Sequence, residues 1–542
     1  MFNTIFSFGI TPLGNLFFAL TLIVFLSLFI VKNENRSIPL HILLLTSLGF
    51  IFYAKDFITF FIGWEVMGWC SYFIISQTAK RETLQKYIVF NIAGAFALLG
   101  AIVLIYGASG GFIYEKIDFN TISSSTTLAI SILVLIAVFI KSGIVPFHHW
   151  IVDTYQESNH IFSTILSAII SKAGIFAFIL IFGQIITFEK LNEILFLVVA
   201  WAGVITSIIA TFKAISQDDM KRLLAYSSIA QIGYIITILA VLNSVAFEAA
   251  LYHTIIHTFV KLLLFVNIAA IIYVTKQTKF SKLGGLLYTY PLQFVLLVIG
   301  IITLAGMPPL GGFSSKFLIY TTLLTQEKAL LLVAVMFSSA SAFLYCYKLV
   351  YGIYLGQKSS KVEYKKIPLS FYIPQVISAI VLVVLGMFPS LIVPLFNNVL
   401  SSISLETIQF IDIYTLTTPF ASFNGFTVMS SFIVLFIIIF IVFISLKNKT
   451  VKTKDRYDIS YCGEVPDENS NLHYGYSMGN ELKRISFIKV ILNNSSKYLW
   501  DKITNITKDI SIVVKKLYSL DSQTVVLIGL IFFTVILYMG VK

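Results

Sequence analysis

The chain has 542 residues, of which 58% are hydrophobic and only 12% charged, and its mean hydropathy is +0.90. A water-soluble domain carries about 25% charged residues, so a soluble enzyme is excluded and a polytopic membrane protein is implied. The net charge of +12 calls for no nucleic acid, because the excess falls mostly in loops that would meet anionic lipid.

Hydropathy places fourteen crossings near 13–31, 39–53, 57–77, 86–106, 127–147, 161–184, 193–212, 222–243, 251–274, 289–326, 329–354, 370–396, 426–446 and 523–540. No small-residue cleavage site follows the first run, which reads as a retained span. The fifth run breaks at Lys141-Ser-Gly-Ile-Val-Pro146, where the proline removes a backbone donor. The tenth covers 38 residues, ~57 Å as one helix. Its centre, Gly306-Met307-Pro308-Pro309, should part it into two half-helices.

Loop charge decides between one broken crossing and two full ones there. Loops after odd-numbered spans up to residue 367 carry sixteen Lys and Arg, against four on the opposite side. The positive-inside rule then puts the N-terminus outside and the richer loops in the cytoplasm. Splitting the tenth span would expel the basic 348–367 stretch, so a single broken crossing is expected.

The broken crossings are fourth of five in two consecutive blocks, spans 2–6 and 7–11. Five is odd, so the second block is inverted, and inverted repeats with broken helices mark an ion path at the breaks. The expected fold is all-α, with about fourteen transmembrane helices and two inverted five-helix repeats. The segments are an N-terminal span and loop (1–38), a first half-channel (39–184), a second (193–354) and additional spans (355–446). A polar cytoplasmic segment (447–483), an amphipathic helix (484–518) and a final anchor (523–540) follow. In the amphipathic stretch Ile485, Ile488, Leu492, Leu499, Ile503, Ile506, Ile510, Val513 and Leu517 recur at 3/4 spacing, which suits a helix lying on the cytoplasmic face of the membrane.

Of thirty-eight Lys and Arg, four stand inside these spans: Lys141, Lys172, Lys261 and Lys316. Of twenty-six acidic residues, only Glu65 is placed well inside one. A charge at the bilayer centre costs at least ~2.5–3.5 kcal/mol, and one carboxylate cannot neutralise four ammonium groups. A desolvated lysine can lose its proton near neutral pH, which is what a proton relay requires. The plainer alternative, internal pairing or snorkelling, fits Lys316 best. His253, His257 and Lys261 share one helical face at i, i+4, i+8. A His-x-x-x-His metal site would lack a third ligand, so a protonatable ladder is the better reading. Cys70, Cys346 and Cys462 form no CxxC, and no phosphate-binding glycine loop occurs. No catalytic, cofactor or metal site is therefore expected.

These residues carry a resemblance. Gly63-Trp-Glu-Val-Met-Gly68, Lys141-Ser-Gly-Ile-Val-Pro-Phe-His-His-Trp150, Ser171-Lys-Ala-Gly174, Asp219-Met-Lys-Arg-Leu-Leu-Ala-Tyr-Ser-Ser228, Gln231-Ile-Gly-Tyr234, His253 to Lys261 and Gly306 to Lys316 resemble the antiporter-like subunits of respiratory complex I, Mrp sodium/proton antiporters and membrane-bound hydrogenases. The match covers roughly residues 30–355. The tail resembles that of the largest complex I antiporter-like subunit, with its lateral helix. The resemblance implies that Glu65 and Lys141 form a controlling ion pair. It also implies that Lys172 and Lys261 are the central lysines of the two half-channels and that Lys316 ends the exit path. Relatives carry two further spans ahead of the Gly-Trp-Glu helix, leaving open a separately encoded partner or a truncated start. Val152 stands where relatives often have proline.

The expected function is therefore ion translocation, of H⁺ or Na⁺, within a multi-subunit redox pump in a prokaryotic inner membrane. The partners would be other membrane subunits, antiporter-like paralogues among them, and lipid. Redox chemistry would belong to those partners. The competing readings are an Mrp-type antiporter subunit without redox partners and a non-pumping scaffold, in which Lys141 and Lys172 would be replaceable by Leu.

Overall fold

The computed structural model of the chain describes residues 7–32, 37–186, 190–355, 365–403, 405–407, 409–418, 421–446, 484–492 and 495–518. Helices dominate because long apolar runs can satisfy their backbone groups in lipid only internally. Polar caps mark where the runs begin. Helix α1 (Pro12–Phe29) starts on Thr11, whose side chain accepts from the Gly14 N–H, and α2 (Ile38–Tyr53) follows. Asp56 opens α3 (Phe57–Ile75) by accepting from the Thr59 N–H at 2.7 Å. Then come α4 (Arg81–Ser109) and α5 (Ser124–Ser142).

After the first break stands the short α6 (His149–Glu157). The next crossing is composite: α7 (His160–Ile165), a π-helical turn at Leu166–Ile170, α8 (Ser171–Ile179) and a second π-helical turn at Leu180–Ile185. The second block is α9 (Glu193–Ile215), α10 (Met220–Leu239), α11 (Ser244–Thr275), the broken pair α12 (Pro291–Ala305) and α13 (Gly311–Thr325), and α14 (Ala329–Ile353). Asp219 and Asn243 cap α10 and α11.

Both expected breaks are present, and they are built alike. Helix α5 ends on Gly143 at φ +74°, ψ 34°, and α12 on Gly306 at φ +76°, ψ 34°. Each glycine N–H turns back onto the preceding turn: Gly143 donates to Ile140 and Phe139, Gly306 to Ile302 and Thr303. The left-handed conformation that closes a helix this way favours glycine, and a proline follows in each case (Pro146; Pro308 and Pro309).

The twelfth expected crossing is shorter than anticipated. Helix α15 (Leu369–Met387) stops before Pro389, and a 3-10 turn leads into α16 (Val393–Ser402). A two-stranded hairpin, Thr415–Thr417 against Ser422–Asn424, precedes α17 (Gly425–Leu446). By length and composition, eleven described helices can cross a membrane, counting His160–Ile185 as one, and α2 and α12 are shorter apolar helices. The polar segment 447–483 and the final anchor 523–540 lie outside the described residues.

A second compact unit begins at Ser486. Its described helices are α18 (Ser486–Leu492) and α19 (Ser495–Tyr518). Leu499, Ile503, Ile506, Ile510, Val513 and Leu517 fall on α19 with the expected helical spacing, while residues 493–494 are outside the described residues.

Within the first unit, α2 to α5 pack in sequence with α8 against α5, and α9 packs against both α10 and α14. The apolar stretches of α11 and of the His160–Ile185 crossing are buried, and that of α10 almost so. These three carry Lys172, His253, His257, Lys261 and the Tyr226–Gln231 segment. The polar crossings are thus screened from lipid by apolar ones, as the cost of exposed polar groups in hydrocarbon requires.

Candidate functional site

The first half-site lies where α3, α4 and α5 meet. Lys141, in the last turn of α5, is buried. Its ammonium donates to Asn91 Oδ1 at 3.3 Å and stands 5.2 Å from the Trp64 ring centroid. Trp64, Tyr87, Asn91, Lys141 and Trp150 line a small cavity of about 10 Å³. Glu65 on α3 is half-buried, and its Oε1 has no hydrogen-bond partner. The two charges lie within electrostatic reach of one another. No nitrogen of Lys141 comes within 4.0 Å of Glu65, however, and the ion pairs among the described residues are Lys55–Glu115, Lys86–Asp153 and Arg222–Asp153.

Lys172 begins α8 between the two π-helical turns and is buried. Such turns widen a helix locally and leave carbonyls free for other donors. Here the Lys172 ammonium donates to the Ser167 carbonyl, inside the first of them. Ser167 Oγ is 2.8 Å from Ser228 Oγ on α10, and Ser228 donates to the Leu224 carbonyl at 2.8 Å. Lys261 on α11 shares that acceptor, donating to Leu224 O at 3.2 Å and to Ser227 Oγ at 2.6 Å. Polar groups therefore stand in a row between the lysines of the two blocks, in three pieces: Lys172 on the Ser167 carbonyl, the Ser167 hydroxyl beside that of Ser228, and Ser228 and Lys261 both on the Leu224 carbonyl.

From Lys261 the face of α11 leads on to His257 and His253. Their rings are nearly parallel, 6.4 Å between centroids at 8°. Both nitrogens of buried His257 are without hydrogen-bond partners. His253 is held on both sides, by Ser315 Oγ and by Gln231 Oε1, each at 3.0 Å. Tyr234 stands between His253, 6.2 Å from its ring, and Lys316, whose ammonium is 5.6 Å from the tyrosine centroid. Lys316 itself reaches back across the second break, donating to Leu304 O at 3.2 Å, Ala305 O at 2.8 Å and Ser339 Oγ at 2.7 Å. Pro146, Pro308 and Pro309 lie in the two breaks, after the helix-ending glycines.

The structure thus brings Lys172, Lys261, His257 and His253 into one connected region, and sets Lys316 beside it through Tyr234. Glu65 and Lys141 form a separate group around Asn91 and Trp64.

Several functional-looking residues were missed in the sequence. Ser167, Ser227 and Ser228 stand between the lysines and Gln231 holds His253; the last three fall in the motifs quoted above but were given no role, since a serine in a helix carries no signal of its own. Lys213, Lys221 and Lys348, assigned to loops, are buried in helices. Lys221 donates to Ser158 O at 2.7 Å and Lys348 to Ile215 O at 2.9 Å, at the C-terminal end of α9. Glu65 is not the only acid inside a span: Glu248 lies in α11 and is fully buried. The expected ninth span began at 251, seven residues after the true helix start at Ser244. The Asn243 cap was the signal that would have found it.

Residues 54–342, just over half of the chain, match the family described as NADH:quinone oxidoreductase/Mrp antiporter, TM. The chain belongs to this family. An Na(+)/H(+) antiporter polypeptide of Alkalihalophilus pseudofirmus is 29% identical over 429 residues, covering 72% of this chain and 52% of that protein. Its counterpart in Bacillus subtilis is 28% identical over 419 residues, covering 70% of this chain and again 52% of the other. The chain therefore spans about half the length of these two relatives. Among solved structures, a chain of the membrane-bound sulfane sulfur reductase, an archaeal respiratory membrane complex, superposes with a TM-score of 0.88 at 28% identity. That alignment covers 98% of this chain and 89% of the other. A chain of the Mrp complex from Dietzia sp. shares the fold, with a TM-score of 0.75 at 22% identity over 98% of this chain and 56% of its own. Both neighbours are parts of multi-subunit membrane complexes. This member of the family is accordingly a multi-pass, antiporter-like membrane protein.

Proposed function

We propose that this chain moves protons across a prokaryotic inner membrane as one component of a multi-subunit complex. The path runs from Glu65 and Lys141 through Lys172 and Lys261 to His257, His253 and Lys316. The observation that carries this is the row of polar groups between Lys172 and Lys261. Buried lysines without a carboxylate within 4.0 Å are costly as fixed charges, and the hydroxyls of Ser167, Ser227 and Ser228, which can both accept and donate a proton, stand between them. Glu65, in reach of Lys141 but out of contact, can raise or lower that lysine's hold on its proton as the separation changes.

The driving chemistry is assigned to partner subunits of a redox complex. The respiratory sulfane sulfur reductase supports this, since the similarity runs over nearly the full length of both chains. The second reading, a component of a sodium/proton antiporter without redox partners, is favoured by the antiporter polypeptide of Alkalihalophilus pseudofirmus. Residues 39–184 and 193–354 would be the two half-channels. The N-terminus would face outward and the amphipathic α19 the cytoplasm, supported by sixteen loop cations on one side against four on the other.

Gentle-detergent purification of the tagged chain, with mass spectrometry of its companions, separates the two readings. Flavin, iron–sulfur or nickel–iron subunits are the expected companions; small hydrophobic ones alone would establish the antiporter. In proteoliposomes of that complex, Lys172→Met should lower proton transport about a hundredfold or more. Unchanged transport would leave a scaffold.

A further inference from the structure

The buried polar groups of α11 divide into two kinds. Toward its C-terminal end, Asn267 is fully engaged: its amide donates to Gln293 O at 2.8 Å and Gln375 Oε1 at 2.9 Å, and its oxygen accepts from Tyr354 at 3.0 Å. Such a satisfied network holds helices together. Glu248, near the other end, is the opposite case. It is 0% exposed, and neither carboxyl oxygen has a hydrogen-bond partner. Among the described residues no lysine, arginine or histidine nitrogen lies within 4.0 Å of it. An ionised carboxylate enclosed in this way is strongly unfavourable, so the group requires a proton or another cation as its counterpart.

Its surroundings lead toward the path. Tyr252 is one turn along on the same face of α11 and is the titratable group in electrostatic reach of Glu248. The Tyr252 hydroxyl donates to the Leu385 carbonyl at 3.0 Å, and Ser314 Oγ uses the same acceptor at 3.5 Å. The next residue, Ser315, is the one whose Oγ lies 3.0 Å from His253 Nδ1. Hydroxyl groups thus stand between the enclosed acid and the last histidine of the ladder, while Lys316 and Lys172 are in electrostatic reach of His253.

We propose that Glu248 is a further proton-carrying residue of the path, with the hydroxyls of Tyr252, Ser314 and Ser315 standing between it and His253. These hydroxyls donate to the Leu385 and Gly312 carbonyls; when they turn toward one another and the acid, the proton that leaves His253 reaches the Glu248 carboxylate, which becomes a neutral acid, and returns or departs when the carboxylate is next exposed to water. This rests on the reading of the chain as a proton translocator.

The test uses the purified complex containing the full chain, reconstituted in liposomes. Infrared difference spectra in H₂O and D₂O should contain a protonated-carboxyl C=O band that shifts on deuteration and is lost in Glu248→Gln. That band should persist in Lys172→Met, where transport fails for a separate reason. Glu248→Gln, isosteric with the neutral acid, should lower initial proton transport about tenfold, Glu248→Asp should restore part of it, and Tyr252→Phe combined with Ser315→Ala should copy the loss. If Lys172→Met abolishes transport while Glu248→Gln leaves it intact, Glu248 is not on the path, whatever the spectrum contains. If the band is absent and added Na⁺ protects Glu248 from a carboxyl reagent, the group binds a metal cation and the proton assignment is overturned. Should Lys172→Met itself be without effect, the transport reading fails first; the infrared band alone then reports whether Glu248 holds a proton.

Discussion

The two broken helices share a backbone and differ in what their lysines do. At both breaks a left-handed glycine with nearly the same dihedral angles ends the helix. Lys141 precedes its break and makes one long hydrogen bond, to Asn91 at 3.3 Å. Lys316 follows its break and supplies three donors, two of them to Leu304 and Ala305 carbonyls that the end of α12 leaves without helical partners. One break therefore holds a lysine whose charge can change at little structural cost. The other holds a lysine that also secures the break, which is where the internal-pairing alternative had most force.

The largest expected effect tests this division directly. Lys141→Met should reduce proton transport about a hundredfold or more while leaving thermal unfolding of the complex unchanged or slightly higher. A matched loss of stability would put Lys141 in the same class as Lys316. Lys316→Ala should do the reverse as well as impair transport, lowering unfolding stability by about 2–3 kcal/mol through the carbonyls left unpaired. Retained stability would mean that the cap is dispensable.

Gly306→Ala should cost about 1–2 kcal/mol from the left-handed backbone alone, and its Cβ would also press on the Lys316 side chain. Gly143→Ala, with nearly the same φ but only Ile151 and Ile229 side chains nearby, should disturb transport less for a similar loss of stability. Comparing the two variants in one unfolding series sharpens the contrast.

The smallest effect belongs to Lys55 and Glu115, an exposed pair at 2.8 Å in the loops flanking α3 and α4. Lys55 holds the Glu115 carboxyl below its ordinary range. A folded-state value below the unfolded one contributes stability above the unfolded carboxylate range, lost as pH falls through the folded value. Glu115→Gln should therefore flatten the acid limb of the stability curve slightly at low salt and not at high salt. A salt-independent change would refute the pairing account.

Much of this could be read along the chain. The class followed from composition, both breaks from Gly-x-x-Pro signals, and the buried lysines from their apolar flanks. Thirteen expected crossings correspond to described helices or broken pairs. The failures were at boundaries and at uncharged polar residues. Placing the start of α11 too late hid Glu248, and ending α9 at 212 kept Lys213 in a loop. The π-helical turns around Lys172 left no mark in the hydropathy, because they alter backbone pairing and leave side-chain polarity as it was.

By itself the sequence determined that the chain lies in a membrane, where its helices break and which ionisable residues lie among apolar neighbours, since each follows from local transfer energies and backbone chemistry. Only the tertiary structure decided which of those residues meet. Lys172 and Lys261 are 89 positions apart, and serines from α7–α8 and α10 stand between them. Glu65 and Lys141 come within electrostatic reach without touching. Such separations of an ångström or two depend on how helices distant in sequence pack, and so does the exchange of a proton between them.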